Sequence, residues 1–484
     1  MNAFKQYRSS SIMNTPYDNH KSYEGMPTVL RAPSWRIRLP LPKERTSRSL
    51  SLWLIYTFAG LIVVGSILLM LPISSAGGYP TRAVDAFFTS TSAVCVTGLV
   101  VVDTGTYWSS FGQGLILTLI QIGGFGFMTS ATLLLLAFGR RIGLRERLLI
   151  GQSIGISRLG GVVGLVKRMA LFTVSSELVG ALVLFFRFSS YDSFRTAVWK
   201  SFFHSISAFN NAGFDIFGNF QSLMQYRTDT PLILITAALI FLGGISFIFI
   251  ADVLKVRSLF KLALDSKLIL WTTIALLGIG TVMMLLTQFT DSTTFTALST
   301  PHKVLGAFFH SVTTRTAGFT TIQISNLAPY TLFFTMFLMF VGGASGSTAG
   351  GIKVNTFGML MATIWSTLKG KEHAEAFGRE FNQQQIYRAI AVIILSLAVI
   401  AIATFLLTIH EDFSFIRILF ETFSAFGTVG LSTGITPFLS TAGKIIIIIT
   451  MFVGRLGPLA LTLALIQRQQ PSSYRYPEEN VRIG

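Results

Sequence analysis

Ser92-Ala93-Val94-Cys95-Val96-Thr97-Gly98-Leu99 sets the organisation of the whole chain, because it returns three times in altered form. The later copies are Ser207-Ala208-Phe209-Asn210-Asn211-Ala212-Gly213-Phe214, Thr313-Thr314-Arg315-Thr316-Ala317-Gly318-Phe319 and Ser424-Ala425-Phe426-Gly427-Thr428-Val429-Gly430-Leu431. Each follows a short apolar run ending in a phenylalanine (Phe88, Phe203, Phe309 or Phe420), and each reaches a glycine after small or polar residues. The glycine lies ten positions beyond that phenylalanine in three copies and nine in the third, so the third copy carries a one-residue deletion. Gly98, Gly213, Gly318 and Gly430 are separated by 115, 105 and 112 residues. A fourfold internal repeat of this kind fixes the architecture before any single residue does.

Composition sets the solvent. Of the 484 residues 51% are hydrophobic and only 12% charged, against about 25% charged in a soluble chain. This is an integral membrane protein. The formal net charge of +17 does not indicate a nucleic-acid partner, because the basic residues gather between apolar spans as the positive-inside bias requires. A single cysteine, Cys95, excludes an internal disulfide framework and a multi-cysteine zinc site.

Residues 1–49 are polar and basic and are expected to form a cytoplasmic N-terminal tail, too long and polar to be a cleaved signal peptide. The first apolar span, Leu52 to Ile73, is long enough for a hydrocarbon core of about 30 Å. A Gly77-Gly78-Tyr79-Pro80 turn follows, then the run Val84 to Val94, too short to cross, then a second span from Gly112 to about Phe138. The same order recurs at 169–186, 197–209 and 231–250, at 268–288, 303–313 and 330–365, and at 389–409, 415–426 and 444–466. The expected fold is an all-α membrane protein of four parallel helix–pore helix–helix repeats around a pseudo-fourfold pore. It has eight transmembrane helices and four re-entrant loops. Repeat boundaries fall at 50–140, 141–256, 257–385 (with a broken second helix) and 386–468, followed by a cytoplasmic C-terminal tail at 469–484. The link after the first repeat carries Arg140, Arg141, Arg145, Arg147, Arg158, Lys167 and Arg168, whereas the opposite loops carry Asp103, Asp215, Asp229 and Asp291. That asymmetry puts both termini in the cytoplasm and brings the half-helices in from outside. Each repeat crosses twice, so all four start on one side and are related by an axis along the membrane normal.

Converging loops at membrane depth imply a water-filled path, since non-helical backbone survives there only when buried in protein or lining a cavity. A half-helix entering from outside points its partially negative C-terminus at the membrane centre. Backbone carbonyls of the loops can then replace a cation's hydration shell, and glycine supplies the positive φ that aims them inward. The expected potassium filter comprises Val94, Cys95, Val96, Thr97 and Gly98; Asn210, Asn211, Ala212 and Gly213; Arg315, Thr316, Ala317 and Gly318; and Gly427, Thr428, Val429 and Gly430.

The spans after the loops carry Gly123-Gly124, Gly243-Gly244 and Gly342-Gly343, explained by close helix packing. In the fourth copy the pair becomes Gly454-Arg455. A charge near the middle of an apolar helix is costly and faces a pore or a partner, so Arg455 is expected below the filter as an electrostatic barrier. The segment 342–351, with Gly342, Gly343, Gly346, Gly350 and Gly351, cannot hold a helix against lipid. It is expected to be a flexible gate inside the pore, with Lys353 as a latch. His204 and His310 follow the Phe-Phe pairs of their half-helices and are expected to be hydrogen-bonded packing residues. Glu421 lacks a nearby acidic partner, so paired-carboxylate catalysis has no support.

These four loops, the 342–351 segment and Arg455 resemble the Trk/Ktr/HKT superfamily of potassium transporters over roughly residues 50–470. The similarity is greatest to the KtrB-type membrane subunits of bacterial Ktr systems. It implies a homodimer with one pore per subunit in the cell membrane, docked on a cytosolic ring of RCK-type, KtrA-like nucleotide-binding subunits. Nucleotide would then act only through that partner. In plant relatives a serine at the first filter glycine favours sodium; glycine at all four positions here implies potassium selectivity. Sodium stimulation occurs in many Ktr systems, and no residue of this chain decides it. The long basic N-terminal tail departs from the family pattern.

A channel-like, gated potassium uptake pore is therefore the expected function. Its rival is a sodium- or proton-coupled secondary potassium transporter, which would need an ionisable residue in the translocation path. A membrane-embedded enzyme would need convergent nucleophiles, acids or metal ligands at one depth, and the sequence offers none.

Overall fold

The computed structural model describes residues 46–126, 162–288 and 298–457, together with position 479. Residues 1–45 of the expected N-terminal tail lie outside the described residues. So do the basic link from Arg140 to Arg158, Asp291, the ends of the expected spans at Phe138 and 466, and nearly all of the tail at 469–484.

Within the described residues the chain falls into four quarters of like construction. The first has a long helix α1 (Thr46–Met70), a short helix α2 (Ala83–Val94), a single turn α3 (Thr104–Tyr107) and a second helix α4 (Ser110–Phe125). The second has α5 (Val162–Phe188), α6 (Phe194–Phe209), α7 (Thr230–Gly244) and α8 (Phe247–Val256). The third has α9 (Leu264–Gln288), α10 (Thr300–Thr313), α11 (Pro329–Phe340) and α12 (Val354–Leu368). A hairpin of β1 (Glu375–Ala376) and β2 (Arg379–Glu380) leads into α13 (Gln383–His410), α14 (Phe415–Gly427) and α15 (Thr441–Leu456).

Among the described residues α5, α9 and α13 are each long and apolar enough to cross a membrane, and α7 with α8 forms a fourth candidate bent by 92°. That bend corrects the expectation of one continuous span over 231–250. Its cause is local: Gly243-Gly244 is followed by Ser246, whose hydroxyl accepts from the Ile248 amide and starts a new helix. A break was expected only in the third repeat. Yet α4 also stops, at Gly126 (φ 75°), α11 stops at Phe340, and α15 stops at Gly457 (φ 83°). All four second helices end beside their Gly-Gly pair or, in the fourth, beside Gly454-Arg455.

Close packing explains the pair. A Cβ on Gly123, Gly243 or Gly454 would collide with the carbonyl oxygen of Val94, Phe209 or Phe426, at the C-terminal end of the short helix in the same quarter. In the third quarter the oxygen is that of Gly350. The short helices are tethered at a second point. Ser90, Ser205 and Ser311 donate to the carbonyls of Ile62, Glu177 and Leu277 at 2.8, 2.7 and 3.0 Å. Gly65, Gly180 and Gly280, one turn further along each long helix, leave room for those hydroxyls. Successive residues of a helix point about 100° apart, so Phe88 and Phe203 are fully buried while their neighbours Phe87 and Phe202 face outward.

The quarters join in a cycle. Each second helix packs on the next short helix: α4 on α6, α7 on α10, α11 on α14 and α15 on α2. Trp199 of α6 donates to Gln113 of α4 at 2.8 Å. A Lys444–Asp85 ion pair of 2.7 Å closes the last joint, between chain positions 359 residues apart.

Gly243→Ala should therefore lower the thermal unfolding midpoint, by the equivalent of about 1–3 kcal/mol for an overpacked site. Gly114→Ala on α4, where a Cβ meets open space, should leave it unchanged or raise it. A second prediction concerns Asp229, which caps α7 and accepts from Arg187 at 2.7 Å and Tyr191 at 3.0 Å. Burial alone would push this carboxyl up, but the hydrogen bonds from Arg187, the Leu232 amide and Tyr191 outweigh it and hold the pKa below its ordinary value. A depressed folded value means that the stabilisation is complete above the ordinary carboxylate pKa of about 3.9 and is lost as pH falls through the lower folded one. Asp229→Asn should flatten the acid limb of a plot of unfolding midpoint against pH.

Candidate functional site

Four glycines from distant parts of the chain meet. A Cβ built on Gly98 would lie 2.9 Å from the Gly213 α-carbon, one on Gly213 would lie 3.1 Å from that of Gly318, one on Gly318 would lie 3.3 Å from that of Gly430, and one on Gly430 would lie 3.1 Å from that of Gly98. The cycle closes. The carbonyl oxygens of Ala212, Ala317, Val429 and Thr97, each just before a glycine, sit against the neighbouring glycines Gly98, Gly213, Gly318 and Gly430. The four glycines have φ of 89°, 69°, 79° and 91°. Glycine is thus required twice over, for its backbone conformation and for lack of space.

The residue two before each glycine is left-handed as well: Val96 (φ 55°), Asn211 (55°), Thr316 (71°) and Thr428 (50°). Three of these are β-branched, for which positive φ is a costly conformation that clusters at functional sites. The sequence motif marks only the glycines.

Hydroxyls at the start of each motif hold the segments in place. Ser92 accepts from the Gly98 amide and Ser424 from the Gly430 amide, both at 3.1 Å. Ser207 donates to the Phe214 carbonyl and Thr313 to the Phe319 carbonyl, both at 2.6 Å. Their recurrence in all four copies was the signal that would have revealed them. The deletion in the third copy falls in the turn after the short helix. There the Ala317 amide donates to Thr313, four residues back, whereas those of Thr97, Ala212 and Val429 reach five residues back. The ring keeps its register.

The remaining predicted filter residues divide. Val94, Cys95 and Gly427 are buried at the ends of α2 and α14. The hydroxyls of Thr97, Thr316 and Thr428 are buried and have no protein partner. Two side chains are engaged elsewhere. Arg315 bonds Thr273 of α9 at 3.3 Å, and Asn210 bonds Gln121 at 3.0 Å and Glu177 at 2.9 Å.

The glycine-rich segment lies against the ends of the short helices. Thr348 donates from its amide (3.2 Å) and hydroxyl (2.9 Å) to Gly243, and the Ala344 amide donates to Gly244 at 3.0 Å. Gly350 abuts the Thr428 side chain, and Gly351 lies beside the Gly427 carbonyl. Gly346 and Gly351 are left-handed, while Gly342 and Gly343 sit at the segment's start. The segment expected to be a flexible loop is pinned to two quarters. Arg455 pins it to a third, donating to the Thr348 and Gly123 carbonyls at 2.5 Å each. Lys353 donates to the Ala349 carbonyl of the segment itself at 2.5 Å. Among the described residues neither cation has a carboxylate partner.

Residues following the ring glycines line a cavity of about 270 Å³ that includes Asp103 and Asp215. Asp103 is committed to the Thr106 amide and hydroxyl at 2.8 Å and the Phe220 amide at 2.7 Å. His204 and His310 bond Thr236 at 3.1 Å and Thr335 at 3.2 Å through Nε2. Glu421 takes the corresponding position in the fourth quarter and accepts from Ser432 and Thr436. Glu177 is a residue the sequence reading missed, although a lone acid inside an apolar span was signal enough.

The family model for TrkH, described as a cation transport protein, matches residues 41–476. The chain belongs to that family. It is 43% identical to the Ktr system potassium uptake protein B of Bacillus subtilis over 87% of this chain and 94% of that protein. It is 39% identical to the potassium/sodium uptake protein NtpJ of Enterococcus hirae over 88% and 95%. The crystal structure of the potassium transporter TrkH from Vibrio parahaemolyticus has the same fold, with a TM-score of 0.68, 19% identity, and coverage of 88% of this chain and 86% of that one. These are ion transporters, not enzymes.

The sole thiol, Cys95, is fully buried behind the first ring segment. A membrane-permeant maleimide should leave the folded protein unlabelled and label it once per chain after denaturation. Labelling of the native protein would contradict this placement.

Proposed function

We propose that this chain takes up potassium across the cell membrane through a selective, gated pore formed by its four quarters around one axis. The observation that carries this reading is the closed ring of four glycines with its four carbonyls. Carbonyl rings replace the hydration shell of a cation, and the C-termini of α2, α6, α10 and α14 supply partial negative charge without a carboxylate. Hydration is replaced by dipoles held rigidly in place, so a desolvated potassium ion loses little on entry. Each quarter contributes two membrane crossings and one re-entrant short helix, giving eight crossings in all, with both termini cytoplasmic.

In this reading the filter is the four segments ending at Gly98, Gly213, Gly318 and Gly430. The gate is the 342–351 segment with Arg455 and Lys353. A permanently charged guanidinium beneath the filter opposes a passing cation, and its bonds to Thr348 and Gly123 hold the segment across the path. Opening requires those two bonds to break. Potassium uptake by the Bacillus subtilis relative supports the choice of ion; the potassium/sodium naming of the Enterococcus hirae relative supports a part for sodium. The Ktr naming supports a regulatory partner, which we take to be a cytosolic nucleotide-binding ring acting on a homodimer of this chain. The second reading, a sodium- or proton-coupled transporter, has Glu177 on its side: a buried ionisable group bonded to the second ring segment.

Purified protein in liposomes tests the proposal. Wild type should pass potassium in preference to sodium, and Gly98→Ser should reduce the preference by about tenfold, a change of ~1.4 kcal/mol in relative barrier. Arg455→Gln should raise the potassium flux several-fold. A wild type without preference, or Gly98→Ser with an unchanged preference, would sink the filter assignment.

A further inference from the structure

Three polar side chains meet beside the second ring segment. Glu177 sits near the middle of α5, Gln121 lies on α4, and Asn210 is the first residue after α6, immediately before left-handed Asn211. The Asn210 amide nitrogen contacts Glu177 Oε1 at 2.9 Å, Gln121 Oε1 at 3.0 Å and the Ile206 carbonyl at 2.9 Å. Gln121 in turn donates to Glu177 Oε2 at 3.3 Å. Both carboxylate oxygens therefore accept from an amide. The backbone of Glu177 is engaged too, because its carbonyl accepts from Ser205 of α6 at 2.7 Å. Gly124 stands against the Asn210 side chain with no room for a Cβ, which fixes where that side chain can sit.

Among the described residues no other ring segment has such an anchor. The corresponding positions are Cys95 in the first copy and Gly427 in the fourth, neither of which can make a comparable network, and Arg315 in the third makes one bond to Thr273. Burying a carboxylate in an apolar span is costly unless its hydrogen-bonding capacity is met. The network gives each carboxylate oxygen a donor, and it does so one residue from a left-handed φ.

We propose that Glu177 is a positioning residue for cation selectivity. Through Asn210, and with Gln121, it fixes the second segment, and thereby the Ala212 carbonyl, at the spacing the ring needs. The role is that of a hydrogen-bond acceptor, not of a charge. It rests on the pore reading given above and adds to it a determinant that touches no ion. Without the acceptor the segment can relax away from its left-handed conformation, and a widened ring would discriminate less between potassium and the smaller sodium ion.

The test is the potassium-to-sodium flux ratio in liposomes for wild type, Glu177→Gln, Glu177→Ala and Gln121→Leu. A ratio is insensitive to the fraction of misfolded protein, which scales both fluxes equally. Glu177→Ala should lower the ratio by about fivefold, the scale of one lost buried hydrogen bond. Glu177→Gln keeps an acceptor oxygen and should stay within about twofold of wild type. Gln121→Leu removes the second arm and should move the ratio in the same direction as Glu177→Ala. It serves as the test if Glu177→Ala does not yield folded protein. If the folded alanine and leucine variants keep the wild-type ratio, the positioning role is wrong while the pore reading stands. If Glu177→Gln loses as much as Glu177→Ala, the carboxylate acts through its charge and the hydrogen-bond account is overturned. A wild type with no preference removes the pore reading and this inference with it.

Discussion

Everything in this fold depends on four α-carbons approaching to within contact distance of one another. Any Cβ at Gly98, Gly213, Gly318 or Gly430 would meet a neighbouring main-chain carbonyl, and the positive φ at each forbids most side chains in any case. The approach in turn dictates what stands behind it. Short helices must end just short of the axis, their last carbonyls must find room, and Gly123, Gly243 and Gly454 provide that room. The strain at Val96, Thr316 and Thr428 is sustained by the hydroxyl hydrogen bonds and packed helices that hold the segments.

The same constraint separates two sides of the ring. After the glycines the chain opens into a cavity edged by Asp103 and Asp215, and before them lie the 342–351 segment, Arg455 and Lys353. In the proposed pore a cation would meet carbonyl oxygens on one side of a short distance and a guanidinium on the other. Because Arg455 bonds carbonyls and has no carboxylate partner among the described residues, its charge is not neutralised locally. In the proposed pore, moving the segment would therefore change the electrostatic profile as well as the width.

Much of this was legible in the sequence, for a definable reason. Repetition converts weak signals into strong ones: one Phe-Phe pair or one glycine says little, but four in near register fix the quarters, the short helices and the ring glycines. The deletion at Phe309–Gly318 was visible too, and the structure absorbs it in a single turn. What escaped notice depended on features that single-residue reasoning does not register. The helix ends at Gly126 and Gly457 fall inside what read in sequence as continuous apolar spans, because glycine is tolerated in membrane helices. The left-handed Val96 and Thr428 carry no sequence mark, since a β-branched residue at positive φ goes against local preference and is imposed by tertiary packing. Glu177 was visible as a lone acid in an apolar span, but its partners were not, because Gln121 lies on α4 and Asn210 follows α6.

The most direct test of the central claim is where a cation rests. Diffraction from crystals grown in rubidium or thallium, with anomalous scattering to locate the ion, would answer it. The account predicts density on the axis, ringed by the carbonyls of Thr97, Ala212, Ala317 and Val429. An ordered ring left empty at saturating ion, with the density bound instead at Asp103, Asp215 or Glu177, would contradict it.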